Sequence, residues 1–270
     1  MSAPSHRDLV LDQFSRQAAP FSASPHIRDE AALRLVVAWS GAGSDDTLLD
    51  VACGAGHVVC AFARTVRHAT GIDLTPAMLE RAQSLQAEQG VTNVSWRLGD
   101  VLPLPFGAAA FTVVTSRYAF HHFPDPAAVL AEMTRVCAPG GTVMVVDTEA
   151  SPDPARAAEF NRLERLRDPS HTRALPLAEH RALFRAAGLS DPRVTSYRLE
   201  MDLDGLLERC FPAPGDADAI REAFAAALDD DRLGIPVWRA EGQLRLAYPI
   251  AVLAATRGLS PTPERAPAAG

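Results

Sequence analysis

The chain of 270 residues contains no lysine; all 26 of its basic residues are arginine. With abundant alanine and proline, this marks codon bias rather than a function. Acidic residues outnumber the basic ones, and the formal net charge is −7. That balance speaks against nucleic-acid backbones and membrane surfaces as partners, because both need a positive protein face. Cysteine is scarce as well. Cys53, Cys60, Cys137 and Cys210 show neither CxxC nor another metal-ligand spacing, so reduced packing residues and no metal are expected. No uncharged apolar run reaches the length of a bilayer span. The first 25 residues lack the apolar block of ~7–15 residues that a secretory signal needs. These absences predict a cytoplasmic protein.

What the chain does have is apolar content, 47% of its residues, enough to fill the core of one large α/β domain or of one domain with an added lid. Helices are expected over 7–18 and 27–40. Short apolar strands at 47–52, 68–74, 94–100, 111–120 and 142–147 alternate with helical stretches at 56–67, 75–90 and 126–137. Thr75 and Pro76 read as the N-cap and first turn of one of these helices. Strands separated by helices pair in parallel through right-handed crossovers. After Ala150 the rhythm loosens into two helices around "RDPSHTRALP", a sixth strand at 193–201, helices near 204–210 and 216–229, and a last strand within 242–257. The expected division is an N-terminal helical cover (1–46), an alternating α/β core (47–150), lid helices and final strands of the same domain (151–257), and a disordered tail (258–270).

The stretch "LLDVACGAGH" (48–57) carries the first functional signal. In an open parallel sheet, ligands bind beyond the carboxyl ends of the strands, beside the first one. Gly54 and Gly56 fall there and let the backbone come close to a ligand. A dinucleotide fingerprint needs a third glycine, where Val59 stands, and Asp50 would repel a pyrophosphate. A carboxylate at that turn fits a positively charged ligand, such as the ammonium and sulfonium of S-adenosylmethionine. Asp73 ends the second strand, where it can accept two ribose hydroxyls. Asp100 ends the third, placed for an adenine amino group with Val101 beside the ring. One terminal Asp alone reads as a helix cap or turn residue; three at successive strand ends read as a nucleoside site.

Together "LLDVACGAGH", "GIDLTPAMLERA", "LGDVLPLPF" and "EMTRVCAPGGTVMVVD" resemble the class I S-adenosylmethionine-dependent methyltransferases, nearest to the group around the ubiquinone/menaquinone-biosynthesis C-methyltransferases. The resemblance covers roughly residues 9–190. It implies a Rossmann-like seven-stranded mixed sheet of order 3-2-1-4-5-7-6, with the last strand antiparallel. It also implies S-adenosylmethionine as cofactor, with Asp50, Gly54 and Gly56 along its methionine part. Asp73 would hold the ribose, with Leu74 and Met78 near it, and Asp100 and Val101 the adenine. Ala52 stands where the family more often has glycine. Quinone specificity does not carry over, because Arg117 is followed by "YAFHHFPD" without the subgroup's Asn.

The expected function is methyl transfer to a small-molecule O, N, C or S nucleophile. The alternatives are non-methyl-transfer chemistry on the same scaffold (a cyclisation or decarboxylation) and a non-catalytic binding module. Methyl transfer is an in-line displacement in which positioning supplies about 7–11 kcal/mol; a base is needed only if the acceptor loses a proton. The segment after the fourth strand makes Arg117, Tyr118, His121 and His122 the catalytic candidates. His121 reads as a base, or "HHFPDP" simply caps the next helix. In "LERLRDPSHTR", Arg167, Asp168, His171 and Arg173 read either as an acceptor-orienting cap or as a solvated turn. Phe14, Phe21 and His26 either wall the site or serve as packing anchors, while Arg156, Arg162 and Arg165 read as solvated. Phe21, His171 and Arg173 are the expected acceptor contacts. The expected partners are a small-molecule substrate and, at most, a second copy of the chain as a homodimer.

Overall fold

The computed structural model describes residues 4–259. The expected disordered tail lies outside the described residues from 260 onward. Among the described residues eight strands form one sheet: β1 (Thr47–Val51), β2 (His68–Asp73), β3 (Val94–Leu98), β4 (Phe111–Arg117), β5 (Cys137–Thr148), β6 (Arg193–Asp202), β7 (Val237–Ala240) and β8 (Gln243–Thr256). Their order is β3-β2-β1-β4-β5-β8-β6, with β7 paired to β8. The first five run parallel, and β8 is antiparallel to both of its long neighbours.

The central strands are buried on both sides, which is why they read as continuous apolar runs rather than alternating ones. Successive residues feed two cores. Leu48, Val113 and Met144 enter one, and Leu49, Val114 and Val145 the other. Helices α2 (Glu30–Ser40), α3 (His57–Ala63), α6 (Pro154–Arg167), α8 (Leu203–Cys210) and α9 (Asp216–Ala226) contribute to the first core. Helices α5 (Pro126–Val136) and α7 (Leu177–Ala186) close the second. Helix α4 (Pro76–Gln89) packs beside α3 and β3.

Several sequence expectations are corrected. Among the described residues the sheet keeps the expected seven-strand order and adds an eighth strand. The added strand, β7, forms a hairpin with β8 through Glu241-Gly242, both at positive φ (52° and 79°). Such a turn normally announces itself as Asn-Gly or Asp-Gly, and Glu241 hid it. β5 starts at Cys137, not 142, so Pro139-Gly140-Gly141 lies within the strand, and β4 slips register between Phe111 and Val113 opposite it. Thr75 occupies the N-cap of α4 but makes no side-chain capping bond. α1 runs from His6 to Ala23, straight through Pro20, instead of stopping at 18. A Ser5–Asp8 capping box starts it, and packing of Ala18, Phe14 and Phe21 against Ala55 and Met78 holds its last turn.

Gly56 shows what the glycine turn requires. It sits at φ +80°, and a Cβ there would lie 2.5 Å from the Trp96 ring and 2.8 Å from the Ala82 Cβ. Gly56→Ala is therefore expected to destabilise the fold by about 2–4 kcal/mol, from left-handed strain plus overpacking. Thermal denaturation checks this; an unchanged Tm would refute it.

Candidate active site

The carboxyl ends of β1, β2 and β4 open into a cavity of about 400 Å³, roofed by α1. That is within the usual range for small-molecule sites. Asp50, Ala52, Gly54, Asp73, Leu74, Met78, Asp100 and Val101 all line it. Gly56 does not. Its role is the close packing beneath Trp96, since the turn has moved away from the cavity by that residue.

Each acid on this floor has a different state. Asp73 is engaged by the turn itself: its Oδ2 accepts from the Gly54 N–H (2.7 Å) and its Oδ1 from the Thr75 N–H (2.9 Å). These bonds fix the loop and aim the carboxylate. Burial raises its pKa, and the backbone donors partly oppose that rise. Asp100 accepts from the Val101 N–H (2.7 Å) and pairs through Oδ2 with Arg7 of α1. Asp50 is 1% exposed, and its Oδ1 has no partner. Burial drives the Asp50 carboxyl well above the usual carboxylate range, with Arg117 opposing and Asp73 adding to the shift.

Arg117, at the end of β4, is also buried. It donates to the Ile27 carbonyl (3.2 Å) and the Tyr118 hydroxyl (3.1 Å), and its Nε has no partner. One orphaned carboxylate oxygen and one orphaned guanidinium N–H on the same cavity wall form a complementary pair. A buried group left this way is penalised by about 1–3 kcal/mol or more, so the pair calls for a ligand with both an ammonium and a carboxylate. The cavity's other side, with Leu74, Met78 and Val101, is apolar. Two residues hold left-handed backbone here without being glycine, Ala52 (φ 57°) and Tyr118 (φ 58°). At Ala52 a glycine would carry no Cβ penalty.

A second cavity of about 110 Å³ adjoins the first. The two share Phe14, Phe21, Ile27, Tyr118 and His122 as common wall. His121 and His171 line only the second. His121 donates from Nδ1 to Asp147 Oδ1 (2.6 Å), and its backbone N–H bonds the same carboxylate at Oδ2 (2.8 Å). Burial opposes a charge on this imidazole, but the Asp147 carboxylate outweighs it and holds the pKa above its ordinary value. His122 differs. Its Nδ1 faces the Ser170 carbonyl (3.1 Å), and burial and His121 push its pKa down to about 4. His171 donates from Nε2 to Asn161 Oδ1 (2.7 Å), leaving Nδ1 buried and unpartnered.

The "RDPSHTR" connection is split rather than solvated throughout. Asp168 and His171 are buried, and Arg167 is held by Glu164 (2.7 Å). Arg173 is a correction: it lines neither cavity, and its half-exposed guanidinium pairs with Glu179 of α7 (2.5 Å). The sequence reading also missed residues. Asp147 had only its place at the end of β5 as a signal. His57 lines the first cavity, donates toward the Ser22 carbonyl (3.2 Å), and is lowered to about 4 by burial. Gln17, in the α1 roof, left no motif at all.

The Methyltransferase domain family matches residues 49–145. The chain is 34% identical to the uncharacterized methyltransferase YcgJ of Bacillus subtilis over 196 residues, 73% of this chain and 78% of that one. It belongs to the class I S-adenosylmethionine-dependent methyltransferases. The crystal structure of YcgJ superposes with a TM-score of 0.78 at 29% identity, over 85% of this chain and 99% of that one. The geranyl diphosphate C-methyltransferase of Streptomyces coelicolor, solved with Mg2+, geranyl diphosphate and S-adenosylhomocysteine, shares the fold (TM-score 0.60, 18% identity, 84% and 78% covered). The cofactor of this methyltransferase is S-adenosylmethionine, and the first cavity fits it: the orphaned Asp50 and Arg117 atoms match an amino-acid end. Among the described residues no helix is long and apolar enough to cross a membrane.

Proposed function

We propose that this methyltransferase methylates a small-molecule acceptor held in the second cavity, at an atom that loses a proton to His121. The observation that carries the reading is His121, bonded to buried Asp147 and lining a cavity that shares wall residues with the first. When bound, S-adenosylmethionine supplies an electrophilic methyl group on a cationic sulfur. The chain's own groups do the rest. Asp50 would take the ammonium, Arg117 the carboxylate, Asp73 the ribose hydroxyls and Asp100 the adenine amino group. Asp147 fixes the His121 ring with Nδ1 protonated, which leaves Nε2 as the basic atom on the acceptor side. Phe14, Phe21 and Ile27 at the shared wall exclude water and align the two ligands. Incubation with methyl-labelled cofactor and a panel of phenols, amines, thiols and carbanion precursors tests the reading. Labelled product together with S-adenosylhomocysteine is expected; a true substrate turned over without S-adenosylhomocysteine would favour non-methyl-transfer chemistry instead.

A proton should leave as the cofactor binds. Asp50 is held toward its neutral form when nothing cationic faces it, and an ammonium beside it favours the carboxylate. Affinity is therefore expected to rise with pH across the acidic-to-neutral range. Titration calorimetry in two buffers of different ionisation enthalpy checks this, and equal heats in both would rule out the Asp50 contact.

A further inference from the structure

Tyr197 belongs to no motif and lines neither cavity, yet it completes the hold on Arg117. Arg117 ends β4, and Tyr197 lies in β6, three strand spacings or roughly 14 Å across the sheet. Tyr118 bridges the two. Its hydroxyl lies 3.1 Å from Arg117 Nη2 and 2.5 Å from the Tyr197 hydroxyl. The guanidinium also stacks on the Tyr118 ring, 4.2 Å from its centre.

Counting donors gives the bridge a direction. A guanidinium only donates, so the Tyr118 oxygen accepts from Arg117. Burial raises the Tyr118 phenol well above its usual range, so its proton stays on. Among the described residues the Tyr197 oxygen is the only acceptor this hydroxyl reaches. Were Tyr197 the donor instead, the Tyr118 hydrogen would be left without a partner. The bonds therefore run from Arg117 to Tyr118 to Tyr197.

The backbone adds a constraint. Tyr118 sits at φ 58° without being glycine, and its N–H is tied to the Val146 carbonyl (2.8 Å). Such a conformation persists only where the surroundings overdetermine it. The backbone bond fixes one end of Tyr118, and Tyr197 fixes the other. If the hydroxyl end came loose, Arg117 would keep only its bond to the Ile27 carbonyl (3.2 Å).

We infer that Tyr197 is a positioning residue for the carboxylate of the cofactor, holding Arg117 in its binding geometry through the Tyr118 hydroxyl. This rests on the Arg117–carboxylate contact proposed above. A guanidinium held in advance gives up less freedom when the ligand arrives, and that saving appears as affinity.

Two ligands that differ by one group test this by titration calorimetry: S-adenosylhomocysteine and its decarboxylated analogue, which keeps the nucleoside, the sulfur and the ammonium. The wild type is expected to favour the first by about 10-fold or more, as hydrogen bonds to a charged group do. Tyr197→Phe keeps the ring packed on the first core and removes only the hydroxyl. It should weaken S-adenosylhomocysteine by about 3–10-fold, the range of one hydrogen bond, and leave the analogue unchanged. Tyr118→Phe cuts the same bridge from its other end, so adding Tyr197→Phe to it should cause no further loss. Circular dichroism verifies the fold; should Tyr197→Phe not fold, Tyr118→Phe carries the comparison, with the loss again confined to the carboxylate-bearing ligand. A loss shared equally by both ligands would mark a merely structural role and overturn the inference. Unchanged S-adenosylhomocysteine affinity in folded Tyr197→Phe, or additive losses in the double variant, would do the same. Arg117→Gln separates the two readings. Carboxylate preference absent from the wild type, or kept in Arg117→Gln, defeats the Arg117 contact and the inference with it. Preference lost in Arg117→Gln but undiminished in Tyr197→Phe defeats the inference alone.

Discussion

Asp73→Ala should lower the affinity for S-adenosylmethionine by about 10²–10⁴-fold, measured by titration calorimetry. Two hydroxyl contacts to a carboxylate contribute about 1.5–3 kcal/mol each, and about 1.4 kcal/mol is a factor of ten. A second loss adds to this, because the carboxylate also receives the Gly54 and Thr75 N–H groups at 2.7 and 2.9 Å. Without it, the turn that presents Gly54 to the cavity loses its anchor. Asp73→Asn keeps an oxygen for one of these donors, so its defect should fall between wild type and alanine. Affinity unchanged in a folded Asp73→Ala variant would remove Asp73 from the ribose site.

His121→Ala is expected to reduce turnover by about 10²–10⁴-fold, the usual contribution of a positioned base, while cofactor affinity changes little. Asp147→Asn probes the same pair through pH. The base works in its neutral form, so the wild-type rate should fall as pH drops through a pKa held above 6.5 by Asp147. Removing that charge leaves burial, which favours the neutral ring. The acid limb should then move to lower pH even though the maximal rate falls, since the weaker base also loses its orientation. A limb that stays in place would show that another group sets it. Inactive His122→Ala or Tyr118→Phe beside an active His121→Ala would move the base along the chain. The structure gives a reason to expect otherwise for His122, which is pushed down to about 4 and is correspondingly weak as a base.

The floor of the first cavity was legible because its residues are local to strand ends. Asp50, Gly54, Asp73 and Asp100 each follow a short apolar run, and strand ends of a parallel sheet must meet at one edge. Gly56 looked equivalent in the sequence, and only the Trp96 ring beneath it shows that its smallness serves packing. Arg117 was placed among the catalytic candidates; its buried, orphaned Nε beside the equally orphaned Asp50 oxygen suits a ligand carboxylate better. Arg173 and His171 are two residues apart, yet one pairs with Glu179 at the surface and the other is sealed against Asn161. No spacing rule separates them, because burial of an irregular connection depends on what packs over it.

Family, cofactor and strand order follow from the chain alone, since hydrophobic period and turn chemistry are properties of neighbouring residues, and parallel strands can be wound in few ways. The second cavity is different. His121 meets Asp147 across 26 positions, His122 meets Ser170 across 48, and Gln13 of the α1 roof meets the Cys210 carbonyl across 197. Which of several equivalent histidines gains a carboxylate, and which is left neutral in a dry wall, depends on distances and burial that no local pattern encodes. The first cavity is built from one repeated strand-end geometry, whereas the second is built from unrelated segments brought together by packing.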